Sequence, residues 1–107
     1  MSQFLSQLLQ FYSEEPTDPF NIYALAIEYQ KTDIPKAQFY FEELLKKYPE
    51  YTATYYHAAA LYLQINKPEL AREVFLKGLE ITEKLNKNHA NGELKRAYRA
   101  FLDEEME

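Results

Sequence analysis

Apolar residues along this chain recur three and four positions apart in blocks of about a dozen residues, and each block stops at a polar cluster. That spacing lays one apolar stripe along an α-helix, whereas the strict alternation of a half-buried strand is absent. The pattern predicts an all-α protein of six helices, at about residues 2–14, 19–30, 34–48, 53–65, 68–86 and 91–104. The breaks have local causes. In "SEEPTDPF", Asp18 is placed to cap a helix that Pro19 opens, where the missing N–H of proline costs nothing. "KTDIPKA" repeats the device with Asp33 and Pro35. "KYPEYTA" ends a helix near Tyr48 and starts another after Thr52, and "QINKPELA" breaks around Asn66. "NKNHANGEL" separates the last helix and leaves His89 in a polar loop.

The stripes repeat. Ile22, Leu25, Ala26 and Tyr29 align with Tyr55, Ala58, Ala59 and Tyr62 at an offset of 33, and Ala37, Phe41 and Leu45 align with Ala71, Phe75 and Leu79 at an offset of 34. Two helix-turn-helix units follow one another, the first with a turn one residue shorter. A single helix pair cannot bury its apolar face alone, and about three units are needed for stability. The flanking segments make up the difference. Phe4, Leu8, Phe11, Tyr12 and Pro16 have the spacing of a second helix, and Leu94, Ala97, Tyr98 and Phe101 that of a first. Ala26, Ala37, Ala59 and Ala71 are expected to be buried where paired helices approach most closely.

This pattern resembles the tetratricopeptide repeat family, in which a large residue is followed by x-x-L-G-x-x-Y, then A-x-x-x-F and a closing proline about 34 residues on. Ile22 or Tyr55 stands for the large residue, Ala26 and Ala59 for the glycine, and Pro49 for the proline. The second repeat departs by having Glu83 at the last position, so its second helix is expected to run on towards Leu85. The resemblance implies a right-handed superhelical stack of antiparallel helix pairs forming one domain over 1–107. It comprises a half-repeat (2–16), two repeats (19–51 and 52–85) and a capping helix (91–104). The initiating methionine and charged end favour a complete chain over a piece of a longer array.

The resemblance also implies a function, protein–protein interaction, in which first helices line a concave groove. Phe20, Tyr23, Ile27, Tyr56, Ala60 and Leu63 are the candidate partner-contacting residues, with Gln30, Lys31 and Gln64 near the rim. The last helix offers Lys95, Arg99 and Leu102 to the same groove, so one end is basic and the other aromatic. The partner expected there is a peptide or a helix of another protein. Helices apolar all round are otherwise enclosed, so the same residues could pack on the chain's own C-terminal helix or close a homodimer. Tyr23 and Ile27 stand where carboxylate-clamp members of the family place lysine and asparagine, and capture of a free carboxylate by that arrangement is not expected.

Composition narrows the classes. With 107 residues there is room for one domain, and with no cysteine there is no disulfide, thiolate chemistry or cysteine-bound metal. Seventeen acidic against 12 basic residues give a net charge of −5, the wrong sign for neutralising nucleic-acid phosphates. The N-terminus lacks a basic region and a small-residue cleavage site, and no apolar run approaches the ~20 residues of a membrane span. A cytoplasmic protein is expected.

Candidate chemistry is sparse. His57 has no serine or carboxylate within a helical turn along the sequence, and His89 has less around it. The pairs Glu14–Glu15, Glu42–Glu43 and Glu104–Glu105 are sequence neighbours, pointing about 100° apart on a helix rather than converging. No catalytic residue, metal ligand or cofactor is expected, and the protein reads as a non-enzyme, with a small enzyme or accessory subunit as the remote alternative.

Overall fold

The computed structural model describes residues 2–106, which form six α-helices and no strand. They are α1 (Gln3–Glu14), α2 (Pro19–Tyr29), α3 (Ile34–Lys47), α4 (Ala53–Gln64), α5 (Pro68–Lys84) and α6 (Asn88–Glu105). The helices fall into two compact units divided between Tyr51 and Thr52.

In the first unit α2 packs on both α1 and α3. Every helix here starts at a side-chain cap. Ser2 accepts from the Leu5 amide at 3.0 Å, Asp18 from Phe20 at 2.9 Å and Asp33 from Lys36 at 3.2 Å, each satisfying an amide that the first turn leaves unpaired. Pro19 and Pro35 lie in the first turns as expected. The core holds Ile22, Leu25, Ala26 and Tyr29 of α2 against Ala37, Phe41 and Leu44 of α3. Ala26 and Ala37 are fully buried, as the need for close helix approach requires. Leu44, rather than the neighbouring Leu45 of the repeat alignment, is the fully buried leucine. Beside the core the Tyr29 and Tyr40 rings stack at 5.8 Å, and Tyr12 meets Tyr40 edge-on at 5.7 Å. Burial, then the neighbouring Tyr29, Tyr12 and Glu43, pushes the Tyr40 hydroxyl above its ordinary pKa. The Asn21 side-chain amide donates to the carbonyls of Phe11 and Glu15, at 3.2 and 3.1 Å, and ties the start of α2 to the end of α1.

In the second unit α5 packs on α4 and α6, and α4 on α6. Ala58, Ala59 and Ala71 are fully buried, and Tyr55 and Tyr62 nearly so. Gly78 takes the position of Leu44 and has a reason to be glycine. A Cβ there would fall 2.7 Å from Tyr55 Cβ and 2.9 Å from Leu94 Cδ1, inside any tolerated contact. The helices end differently from those of the first unit. Asn66 (φ 60°) and Asn86 (φ 56°) take the left-handed conformation. Lys67 donates to the Tyr62 carbonyl at 2.8 Å, and Lys87 to Thr82 at 2.9 Å. These are Schellman closures with asparagine in glycine's place.

The second closure corrects the expected start of the last helix. Because Asn86 turns the chain within one residue, α6 begins at Asn88 rather than near residue 91. His89 therefore lies in its first turn, 3.9 Å from Glu93, and not in a loop. Asn91 is anchored: its side-chain amide donates to Thr82 Oγ1 at 3.0 Å, and that buried hydroxyl donates to the Gly78 carbonyl at 2.8 Å. Leu94 and Phe101 are buried, and Phe75 meets the rings of Tyr98 and Phe101 at 5.5 and 5.6 Å. At the far end Arg72 lies 5.1 Å from the centre of the Phe101 ring and 3.9 Å from the Glu105 carboxylate.

Candidate functional site

The stripe that each first helix buries leaves an opposite side at about 180°, since successive side chains rotate by about 100°. On α2 that side carries Phe20, 57% exposed, with Tyr23 and Ile27 half-buried, and the half-buried Gln30 follows as the C-cap. Lys31, exposed just beyond the helix, pairs with Glu28 at 3.0 Å. Tyr23 is not isolated there. Its ring lies 5.6 Å from that of Tyr51, whose hydroxyl pKa is raised by burial, by Tyr23 and by Asp18. Tyr51 also lines a recess of about 410 Å³ with Pro19, Tyr48 and Pro49. Tyr48 and Tyr51 escape a reading by helical period because they flank Pro49 outside any helix. Two tyrosines around a proline in a loop were the available signal.

On α4 the corresponding side carries Tyr56 and Leu63, 44% and 38% exposed, with Ala60 and Gln64 also exposed. Tyr56 lines a shallow recess of about 160 Å³ with Glu93, Arg96 and Ala97 of α6. Leu63 lines a different one, of about 260 Å³, with Pro68 and Phe101. Lys95, Arg99 and Leu102 come together, in a recess of about 590 Å³ that Leu79, Tyr98 and Met106 complete. Arg96, absent from the expected set, lines both this recess and the one at Tyr56. Its place on the helix surface between Lys95 and Arg99 was readable, but not which neighbours it would meet.

His57 is half-buried, and burial lowers its imidazole pKa while Glu93 works against that shift. Glu43 pairs with Lys47 at 3.7 Å, and Gln38 and Gln10 donate to Glu42 and Glu14 at 3.0 and 3.2 Å. These are helix-surface contacts at i, i+4 spacing. Among the described residues no three histidines or carboxylates are grouped to hold a metal ion, and no helix is long and apolar enough to cross a membrane.

No family model matches the sequence, and no curated protein does. Solved structures do. A solution NMR structure of a tetratricopeptide repeat domain protein from Salinibacter ruber superposes with a TM-score of 0.77 at 34% identity. The match covers 81% of this chain and 89% of that one. A crystal structure of a tetratricopeptide repeat domain protein from the same organism gives 0.76 at 33% identity, over 80% of this chain and 97% of that one.

Proposed function

This chain belongs to the tetratricopeptide repeat family, and on that premise we propose that it is a non-catalytic cytoplasmic module that binds a peptide or helix of a protein partner. The observation that carries the reading is the exposure of large apolar side chains on first helices whose other sides are fully used in the core. Phe20 on α2 and Tyr56 and Leu63 on α4 face water while Ile22, Tyr55 and Tyr62 are buried. Apolar and aromatic side chains left in water on an otherwise satisfied helix mark a place for a partner. Tyrosine adds large, fairly rigid contact area with a polar tip. In the first unit the contact residues are Phe20, Tyr23 and Ile27, with Gln30 and Lys31 beside them. In the second they are Tyr56, Ala60, Leu63 and Gln64, and Lys95, Arg99 and Leu102 supply cationic and apolar contacts.

The test is affinity capture from native extract with the wild-type protein and with Tyr23→Ala and Tyr56→Ala. Each substitution is expected to weaken capture by about 1 kcal/mol or more, because buried aromatic anchors dominate interface energies. A partner retained equally by both variants refutes the assignment of these residues. Arg99→Glu is expected to change the salt dependence of binding, since charges at the margin of an interface act through steering.

A further inference from the structure

Gly78 and Gly92 are the two glycines of the chain, and packing explains only the first. A Cβ on Gly92 would meet nothing nearer than Arg96 Nη1 at 3.5 Å, an ordinary contact, and neither glycine has a positive φ. Glycine weakens a helix interior, so neither space nor conformation calls for it inside α6. What Gly92 does change is the chemistry of the residue before it. In an open chain the backbone nitrogen after an asparagine can attack the side-chain amide carbon, and a following residue without Cβ hinders that approach least. The other four asparagines, Asn21, Asn66, Asn86 and Asn88, precede Ile22, Lys67, Lys87 and His89. Among the described residues Asn91 alone of the five is buried. The reactive pair is thus the shielded one.

We propose that Asn91–Gly92 is a deamidation site that α6 keeps shut and that reacts when the start of this helix opens. Three hydrogen bonds hold Asn91 closed. Its side-chain amide donates to Thr82 Oγ1 at 3.0 Å and to the Leu79 carbonyl at 3.4 Å, and its backbone N–H donates to the Lys87 carbonyl at 2.8 Å. The helix also directs the Gly92 N–H at the Asn88 carbonyl, away from Cγ of Asn91. Yet this end of α6 has no side-chain cap, and Asn88 and His89 are exposed, which leaves the first turn subject to local opening. In the opened chain the Gly92 nitrogen gives its proton to hydroxide and attacks Cγ of Asn91. The new N–Cγ bond closes a succinimide ring as the Cγ–Nδ2 bond breaks, and ammonia leaves with a proton from water. Water then adds to one of the two ring carbonyls and opens the ring, to aspartate or to isoaspartate. Refolding does not undo the change. The Thr82 hydroxyl proton is engaged by the Gly78 carbonyl at 2.8 Å, and a carboxylate has no proton to offer the Leu79 carbonyl. A charge is left among acceptors in a buried setting. Isoaspartate also lengthens the main chain by one carbon, which the i to i−4 ladder does not accommodate. Either product loosens the attachment of α6 to α5.

The whole chain, incubated folded at mildly alkaline pH and mapped by peptide mass spectrometry, is expected to gain aspartate and isoaspartate at position 91 ahead of the other four asparagines. Denaturant is expected to speed that conversion by about a hundredfold or more, because the reaction draws on the open population. The folded rate should equal the denatured rate scaled by the open fraction that hydrogen exchange at Gly92 reports. Thr82→Val keeps the shape and removes the acceptor, and is expected to speed conversion about tenfold in the folded protein and not at all in denaturant. Gly92→Ala, which the space admits, is expected to slow it at least about tenfold in both. Asn91→Asp, with helicity checked, is expected to make the amides from Asn91 to Leu94 exchange at least about tenfold sooner. An intact Asn91 in the folded protein, a folded rate equal to the denatured one, earlier conversion of another asparagine, a folded rate unmoved by Thr82→Val, or unchanged exchange in Asn91→Asp each overturns the proposal. Wild type and Gly92→Ala decide the matter even where Thr82→Val does not fold.

Discussion

The two units build the same helix pair with different devices. The first secures the beginnings of its helices, with Ser2, Asp18 and Asp33 each accepting a backbone amide. In the second, no helix has a side-chain cap at its start, and two of the three ends are closed by left-handed asparagines. The cores differ in a matched way. Where the first unit has Ile22 and Leu44, the second has Tyr55 and Gly78, the larger side chain on one helix offset by none on the other. Helix pairing thus constrains the summed volume at a contact more tightly than the identity of either member.

The largest expected effects test the position that the units share. Tyr29→Ala and Tyr62→Ala each remove a buried ring and are expected to cost roughly 3–5 kcal/mol in denaturant unfolding, taking Phe→Ala as the guide. Tyr29→Ala is also expected to bring the Tyr40 hydroxyl back towards its ordinary pKa, because the stacked ring contributes to that shift. Spectroscopic titration of Tyr40 checks it.

Next comes the volume exchange. Gly78→Leu imports the residue of the first unit and is expected to destabilise by about 1–3 kcal/mol through overpacking. Adding Tyr55→Ile, which completes the pair found in the first unit, is expected to recover a large part. Losses that simply add in the double variant would show that the two positions do not compensate.

The caps should separate the units more gently. Asp18→Ala and Asp33→Ala are each expected to cost about 1 kcal/mol, whereas Thr52→Ala, at a helix start without a side-chain hydrogen bond, is expected to change the melting temperature little. Asn66→Ala and Asn86→Ala are expected to cost about 1–2 kcal/mol, the steric price of the left-handed region for a residue with Cβ and no local hydrogen bond. Glycine at either site is expected to be neutral or better.

The smallest effect is one of pH. Both histidines lie in the second unit, and burial holds the His57 pKa below its usual 6.5. A depressed pKa means that the unfolded chain takes up the proton first as pH falls. The stabilising contribution is therefore complete above 6.5 and is lost as pH drops through the folded value. His57→Gln is expected to flatten that part of the stability curve, and hydrogen exchange should place the change in the second unit.

What was legible in the sequence was whatever has a local signature. Asp18–Pro19 and Asp33 announce helix starts by chemistry confined to a few residues, and the four small residues Ala26, Ala37, Ala59 and Ala71 reveal the close contacts through their period. What was not legible depends on how two helices meet. The repeat alignment points to Leu45 and Leu79, and only the packing shows Leu44 and Gly78 at the contact. The early start of α6 hinges on the φ of Asn86, and Asn in "LNKN" reads equally well as loop. Among the candidate contact residues, exposure of Phe20, Tyr56 and Leu63 followed from helical geometry. The Tyr23–Tyr51 pairing and the recess that Arg96 and Tyr56 line together did not, since both join different segments.

The Thr82–Asn91 hydrogen bond has a temporal counterpart. It pins α6 near its beginning, in a buried setting, while the far end is held by the 3.9 Å approach of Arg72 to Glu105 on the surface. Surface ion pairs of that kind contribute little, and local opening begins where protection is weakest. Helix α6 should therefore come loose in one direction. Its amides from about Leu102 to Glu105 are expected to exchange with solvent soon after transfer to heavy water, those around Leu94 only much later, and Asn91→Ala should bring the two times together.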